Sequence, residues 1–136
     1  MKKKILFFDA DGTLWYPKKT KRKKNPIYIH IELKKISKIR KNLILVPGVI
    51  KTLTKIKKMG VKMVVLSVSP LPTKIAQSRL EGTLKNFGIL HFFDEVHATK
   101  PYYESKGEYM LKIIKKYNLK KSQSLMIGDI YLWDFS

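Results

Sequence analysis

Four consecutive apolar residues, Ile5 to Phe8, entered from Lys2-Lys3-Lys4 and left through Asp9-Ala10-Asp11-Gly12, constrain this chain more than any other feature. An unbroken apolar run predicts a strand buried on both faces, because a strand with one wet face would alternate apolar and polar residues. Two further segments repeat the plan. Val61 to Leu66 (VKMVVL) runs into Ser67, and Ser124 to Ile127 (SLMI) runs into Gly128-Asp129. Three short strands are therefore expected, each finishing at a polar residue.

Helical patterns lie between them. Pro47-Gly48 opens a segment with Val49, Ile50, Leu53, Ile56 and Met59 at three- and four-residue spacing, closed by Gly60. Thr73 to Phe87, ended by Gly88, forms a second helical pattern, and Gly107 to Tyr117 a third, with Met110, Ile113, Ile114 and Tyr117 on one face. The apolar piece His91 to Val96 reads as another strand. Alternating strands and helices predict an α/β fold: a Rossmann-like, three-layer α/β/α arrangement around a mainly parallel sheet, with right-handed crossovers. Ligands in such sheets bind beyond the carboxyl ends of the strands, and here those ends carry Asp9, Ser67 and Asp129.

A length of 136 residues suits one hydrophobic core, so residues 1–136 are expected to form a single domain. Residues at about 16–46 break the alternation. They hold a basic tract, Lys18 to Lys24 (KKTKRKK), and two runs, Ile27 to Leu33 (IYIHIEL) and Asn42 to Val46 (NLILV), expected to pair as a hairpin in an insertion near the active end.

Charge and cysteine count bound the partners. With 29 Lys and Arg against 10 Asp and Glu, the formal net charge is +19, a field that attracts phosphates, nucleic acid or acidic protein surfaces. Lys-rich composition is equally the mark of a thermophilic source. The chain has no cysteine, so thiolate metal sites and a disulfide-stapled secreted scaffold are excluded. Asp9 and Asp11 interrupt the N-terminal apolar run too early for a signal peptide, and no segment is long enough to span a bilayer. A cytoplasmic protein is expected.

The chemistry-bearing residues fall at the strand ends. If the first strand continues, Asp9 and Asp11 point the same way and reach one pocket, while Gly12 permits a tight turn. An Asp-Gly turn that only ends a strand would look the same. Neighbouring carboxylates repel unless a cation bridges them, and a site of hard oxygens suits Mg²⁺. One ionised carboxylate can then attack phosphorus while the other moves a proton. Asp129 and Asp134 supply a second acidic pair as metal ligands, Ser67 a hydroxyl for a phosphoryl oxygen, and Lys106 a cation at the start of a helix. His30, His91 and His97 are isolated and read as surface or packing residues, and Trp15 and Trp133 as core or as the mouth of the cleft.

These four segments resemble the four signature motifs of the haloacid dehalogenase superfamily. FFDADGTLW (Phe7 to Trp15) is similar to the first, which implies Asp9 as nucleophile, Asp11 as general acid/base, and the backbone carbonyl of Asp11 in the metal shell. VVLSVSP (Val64 to Pro70) is similar to the second, with Ser67 binding phosphate. SKGEYMLKII (Ser105 to Ile114) resembles the third, with Lys106 as its lysine; Lys100-Pro101 is a competing match. MIGDIYLWD (Met126 to Asp134) resembles the fourth, with Asp129 and Asp134 on the metal side. The resemblance implies a magnesium-dependent phosphomonoester hydrolase acting through an aspartyl phosphate. Trp15 after DGTL, the hairpin-bearing insertion and the lack of a large cap resemble the magnesium-dependent phosphatase group, which implies a small ester, a sugar phosphate or a phosphoprotein as substrate. Members of the superfamily continue past the fourth motif, so an end at Ser136 reads as truncated or covered by a partner. The competing expectation is a non-catalytic module of the same fold that holds nucleic acid or an acidic partner on its basic surface.

Overall fold

The structure, a computed structural model, describes residues 2–19, 40–69, 71–100 and 106–128. Its main sheet has four parallel strands in the order β5-β4-β1-β6: β1 (Ile5–Phe8), β4 (Lys62–Val68), β5 (Glu95–Thr99) and β6 (Ser124–Ile127). Among the described residues three helices connect them, α1 (Val49–Lys58), α2 (Thr73–Asn86) and α3 (Lys106–Lys116). β2 (Trp15–Pro17) and β3 (Leu43–Leu45) form a separate antiparallel pair.

Each helix covers the sheet with the stripe its sequence provides. Alternate residues of β1 serve opposite faces: Leu6 and Phe8 pack with Leu53 of α1 and Ala76, Leu80 and Leu84 of α2, whereas Ile5 and Phe7 pack with Ile113 and Ile114 of α3. Helices therefore lie on both sides, giving the expected three layers. This two-sided burial is why β1 is apolar throughout; all four of its residues are buried. α1 stops where Gly60 turns the chain at a φ of 73°, a left-handed conformation that a residue with a Cβ adopts only at a cost.

One sequence expectation needs correction. His91 to Val96 is not a strand: Leu90–Phe92 is a 3-10 turn, and β5 begins at Glu95. Asp94 makes the difference, because its Oδ2 accepts from the Met63 amide at 2.9 Å and pins the chain to the start of β4 before the ladder begins. The run at Asn42 to Val46 forms a strand as expected, and among the described residues Leu43–Leu45 pairs with Trp15–Pro17. The run Ile27 to Leu33 and most of the basic tract lie outside the described residues.

β5 is an edge strand whose polar face is tied to α3. Glu95 accepts hydrogen bonds from Tyr117, from His97 (2.9 Å) and from Lys116 (3.1 Å). Burial alone would push the Glu95 carboxyl up, but these donors outweigh it and hold it below its ordinary value of 4.5. The same bond to Glu95, with burial and the charge of Glu95, pushes Tyr117 up to about 12. A depressed carboxylate stabilises the fold above its unfolded value and loses that contribution as pH falls through the folded one; a raised tyrosine contributes below its unfolded value and loses it on the way up. The stability difference between the native chain and Tyr117→Phe should accordingly be flat near neutrality, at about 2 kcal/mol. It should shrink below pH 4.5 and again between pH 10 and about 12. Urea titrations of both chains across pH check this, and a difference independent of pH would refute it.

Candidate active site

β1 ends at Phe8, and the chain then turns. The carbonyl of Ala10 accepts from the amides of Thr13 and Leu14 (3.1 and 2.8 Å), and the Gly12 amide donates to Trp15 (2.7 Å). Gly12 sits at a φ of 84°, which the loop requires and Gly alone adopts freely. The strand ends at Phe8, so strand alternation does not set the relative aim of the two carboxylates. The loop instead delivers them to different neighbours.

Asp9 stays in the ladder, its amide donating to Ile127 of β6 at 3.0 Å. Its side chain meets α3, where Lys106 Nζ lies 3.2 Å from Asp9 Oδ1. Both residues are 3% exposed, so the pair sits in a low-dielectric setting where charge attracts strongly and an unmatched charge is costly. Lys106 opens its helix, as expected; Lys100 follows the last residue of β5 and is half-buried.

Asp11 has a partner within its own loop. Trp15 Nε1 donates to its Oδ1 at 2.8 Å, and the Trp15 indole, 2% exposed, stacks on Phe87 with ring centroids 5.7 Å apart. A buried, stacked donor fixes the carboxyl's orientation. Sequence reading left Trp15 as core or cleft mouth; the signal available was an indole four residues after a candidate acid, across a glycine turn. Trp15→Phe should keep the stacking, lose the donor and lower kcat about 3- to 10-fold at nearly constant KM, as measured by steady-state kinetics. An unchanged kcat would show that the bond does not orient the acid.

Ser67 lies inside β4, not after it, and is 8% exposed. It shares a cleft with Asp11, Trp15, Ser69, Arg79 and Thr83. The cavity measures about 40 Å³, room for a few waters or one small polar group. Nearby, the buried hydroxyls of Thr13 and Thr99 have no protein partner, which leaves hydrogen-bonding capacity at this end of the sheet. The structure thus brings Asp9 together with Lys106, and Asp11 into one cleft with Ser67. Asp129, Asp134 and Trp133 lie outside the described residues, as does His30. Among the described residues no group of three or more His, Cys, Asp or Glu could hold a metal. No helix among them is long and apolar enough to cross a membrane.

A parallel sheet whose central strand delivers a buried carboxylate to a helix-borne lysine defines an α/β protein with a candidate site at the carboxyl ends of its strands. The chain belongs to the haloacid dehalogenase-like hydrolases, whose family pattern it matches over residues 17–134. No curated protein matches it. Solved structures match across nearly the whole chain. A haloacid dehalogenase-like family hydrolase from Streptococcus pneumoniae is 21% identical, with a TM-score of 0.65, over 97% of this chain and 78% of its own. A predicted phosphoglycolate phosphatase from Haemophilus somnus is 18% identical at 0.65, over 95% and 78%. A phosphoserine phosphatase, solved as an analogue of its phospho-aspartyl intermediate, is 18% identical at 0.63, over 95% and 79%. The chain spans 66% of the length of another match, from Listeria monocytogenes. At these identities the likeness shows the shared fold.

Proposed function

We propose that the protein is a phosphomonoester hydrolase working through an aspartyl phosphate on Asp9. The observation that carries this reading is the buried pair of Asp9 and Lys106, 3.2 Å apart at the end of the central strand. A lysine buried on a carboxylate leaves that carboxylate ionised and places a cation where charge builds on a transferring phosphoryl group. The hydrolase family, and the likeness in fold to a phosphoserine phosphatase solved as a phospho-aspartyl intermediate analogue, support the same chemistry.

In this mechanism an oxygen of Asp9 attacks phosphorus in line, and the ester oxygen leaves with a proton from Asp11. Asp11, now a base, takes a proton from water. That water attacks phosphorus, breaks the bond to Asp9 and releases inorganic phosphate. Trp15 holds the carboxyl of Asp11 in place through both steps, and Lys106 and Ser67 meet the phosphoryl oxygens.

The donor set at this end of the sheet, carboxylates without thiolate or clustered histidine, fits Mg²⁺. Asp9 and the backbone carbonyl of Asp11 would hold it, with Asp129 and Asp134 from the last motif, leaving the Asp11 carboxyl to move the proton. When bound it would neutralise charge on the phosphoryl oxygens. The cavity beside Asp11 suits a small departing group, and Arg79 on its wall favours one carrying negative charge.

The test is hydrolysis of a panel of small phosphate esters, sugar phosphates and phosphopeptides with magnesium and with chelator. Turnover that disappears on chelation is expected. Salt-sensitive binding of nucleic acid without any turnover would instead favour a binding module built on the same fold.

A further inference from the structure

Apolar burial of α3 is deepest in its far half, while Tyr109 and Met110 of the near half are only partly buried against the same cluster. Of its eleven residues the buried ones are Lys106, Ile113 and Ile114, so the first two turns, which carry the site lysine, have no fully buried apolar side chain of their own. A polar chain from β5 adds to that packing at the near end. Tyr109, one turn after Lys106, has its hydroxyl 3.1 Å from His97 Nδ1, with the two rings 5.2 Å apart. His97 Nε2 lies 2.9 Å from Glu95 Oε1. Glu95 and His97 stand two apart on one strand and so face the same way.

The direction of each bond follows from chemistry. Glu95 is held ionised and can only accept, so His97 Nε2 carries the hydrogen. In the tautomer with its hydrogen on Nε2, Nδ1 accepts from the Tyr109 hydroxyl. The other Glu95 oxygen accepts from Lys116 at 3.1 Å and from Tyr117 at the helix end. Lys62 of β4 stands over the Tyr117 ring, 4.5 Å from its centroid. One carboxylate thus grips α3 near both ends: directly at the last turn, and through His97 and Tyr109 beside Lys106.

We propose that Tyr109, held by the Glu95–His97 pair, is a positioning residue that sets Lys106 on Asp9. The inference rests on the phosphatase reading and adds to it a residue distant from the reacting atoms. A hydroxyl that fixes the first turn of the helix sets where the ammonium lies, and a small misplacement of such a group lowers rate without changing substrate affinity.

The experiment is a double-mutant cycle of Tyr109→Phe and Lys106→Met in the full chain, with magnesium and a small phosphate ester, at a temperature where circular dichroism shows all four proteins folded. Tyr109→Phe should lower kcat about 3- to 10-fold with KM within about twofold. In the Lys106→Met background it should cause no further loss, because the group it positions is gone. Losses that multiply in the double variant, or a lowered melting temperature with unchanged kcat, would overturn the proposal and assign Tyr109 to stability alone. Absence of turnover in the unmodified chain would overturn the phosphatase reading first, and this inference with it.

Discussion

Asp9→Asn is expected to lower kcat by roughly 10⁴-fold or more while the protein stays folded. The amide has the shape of the carboxyl but is no nucleophile, so the first bond to phosphorus cannot form. Asn keeps an oxygen where Lys106 Nζ now lies, 3.2 Å from Asp9 Oδ1, so the local geometry has a partner to rest on. What is lost is charge. The ammonium of a lysine only 3% exposed then faces a neutral acceptor, at a cost of about 1–3 kcal/mol. Turnover of a small phosphate ester and a urea titration of the same preparation measure the two effects.

Lys106→Met inverts the problem and should show a different balance. The side chain keeps its length and apolar stem but leaves the Asp9 carboxylate buried without its cation, which should cost about 3 kcal/mol. The rate should fall about 10²- to 10³-fold, because an electrostatic partner of the transferring group has gone while the nucleophile remains. Combining Asp9→Asn with Lys106→Met removes both charges at once. The double variant should be more stable than the sum of the single losses predicts, since no unmatched charge is left inside. Additive losses in urea titrations would mean that the two side chains do not act as a buried pair.

The parts of the fold that could be read from sequence are those where burial is two-sided. β1 is legible to the residue because nothing but apolar side chains fits between two helical layers, whereas β6, at the end of the sheet order, has the bounds its apolar run predicts but leaves Leu125 47% exposed instead of burying both faces. β5 was misplaced because its sequence, EVHAT, hides the pattern: its outer residues face polar groups on α3, so apolar Phe92 and Phe93 just before it look more strand-like. The pairing of Trp15–Pro17 with Leu43–Leu45 joins segments far apart in sequence, and no local period reports such a contact.

The candidate site was legible in its motifs and less so in its geometry. Asp9 and Lys106 are 97 positions apart, yet the apolar strand before one and the helix after the other place both at one end of the sheet. The bond from Trp15 to Asp11 could not be read, because it depends on the chain leaving the strand at Phe8 and doubling back through Gly12. His97 looked isolated because its partners are not metal ligands: one lies two residues away on the same strand and one on a helix that sequence alone does not set beside it.

The claim beneath all of this is that Asp9 becomes covalently phosphorylated. Acid quench of the protein during turnover, followed by peptide mass spectrometry, tests it directly. The expected result is a single phosphoryl group on Asp9, labile to hydroxylamine and absent from Asp9→Asn. A phosphoryl group on any other residue, or sustained turnover with none trapped under conditions that preserve acyl phosphates, would contradict it.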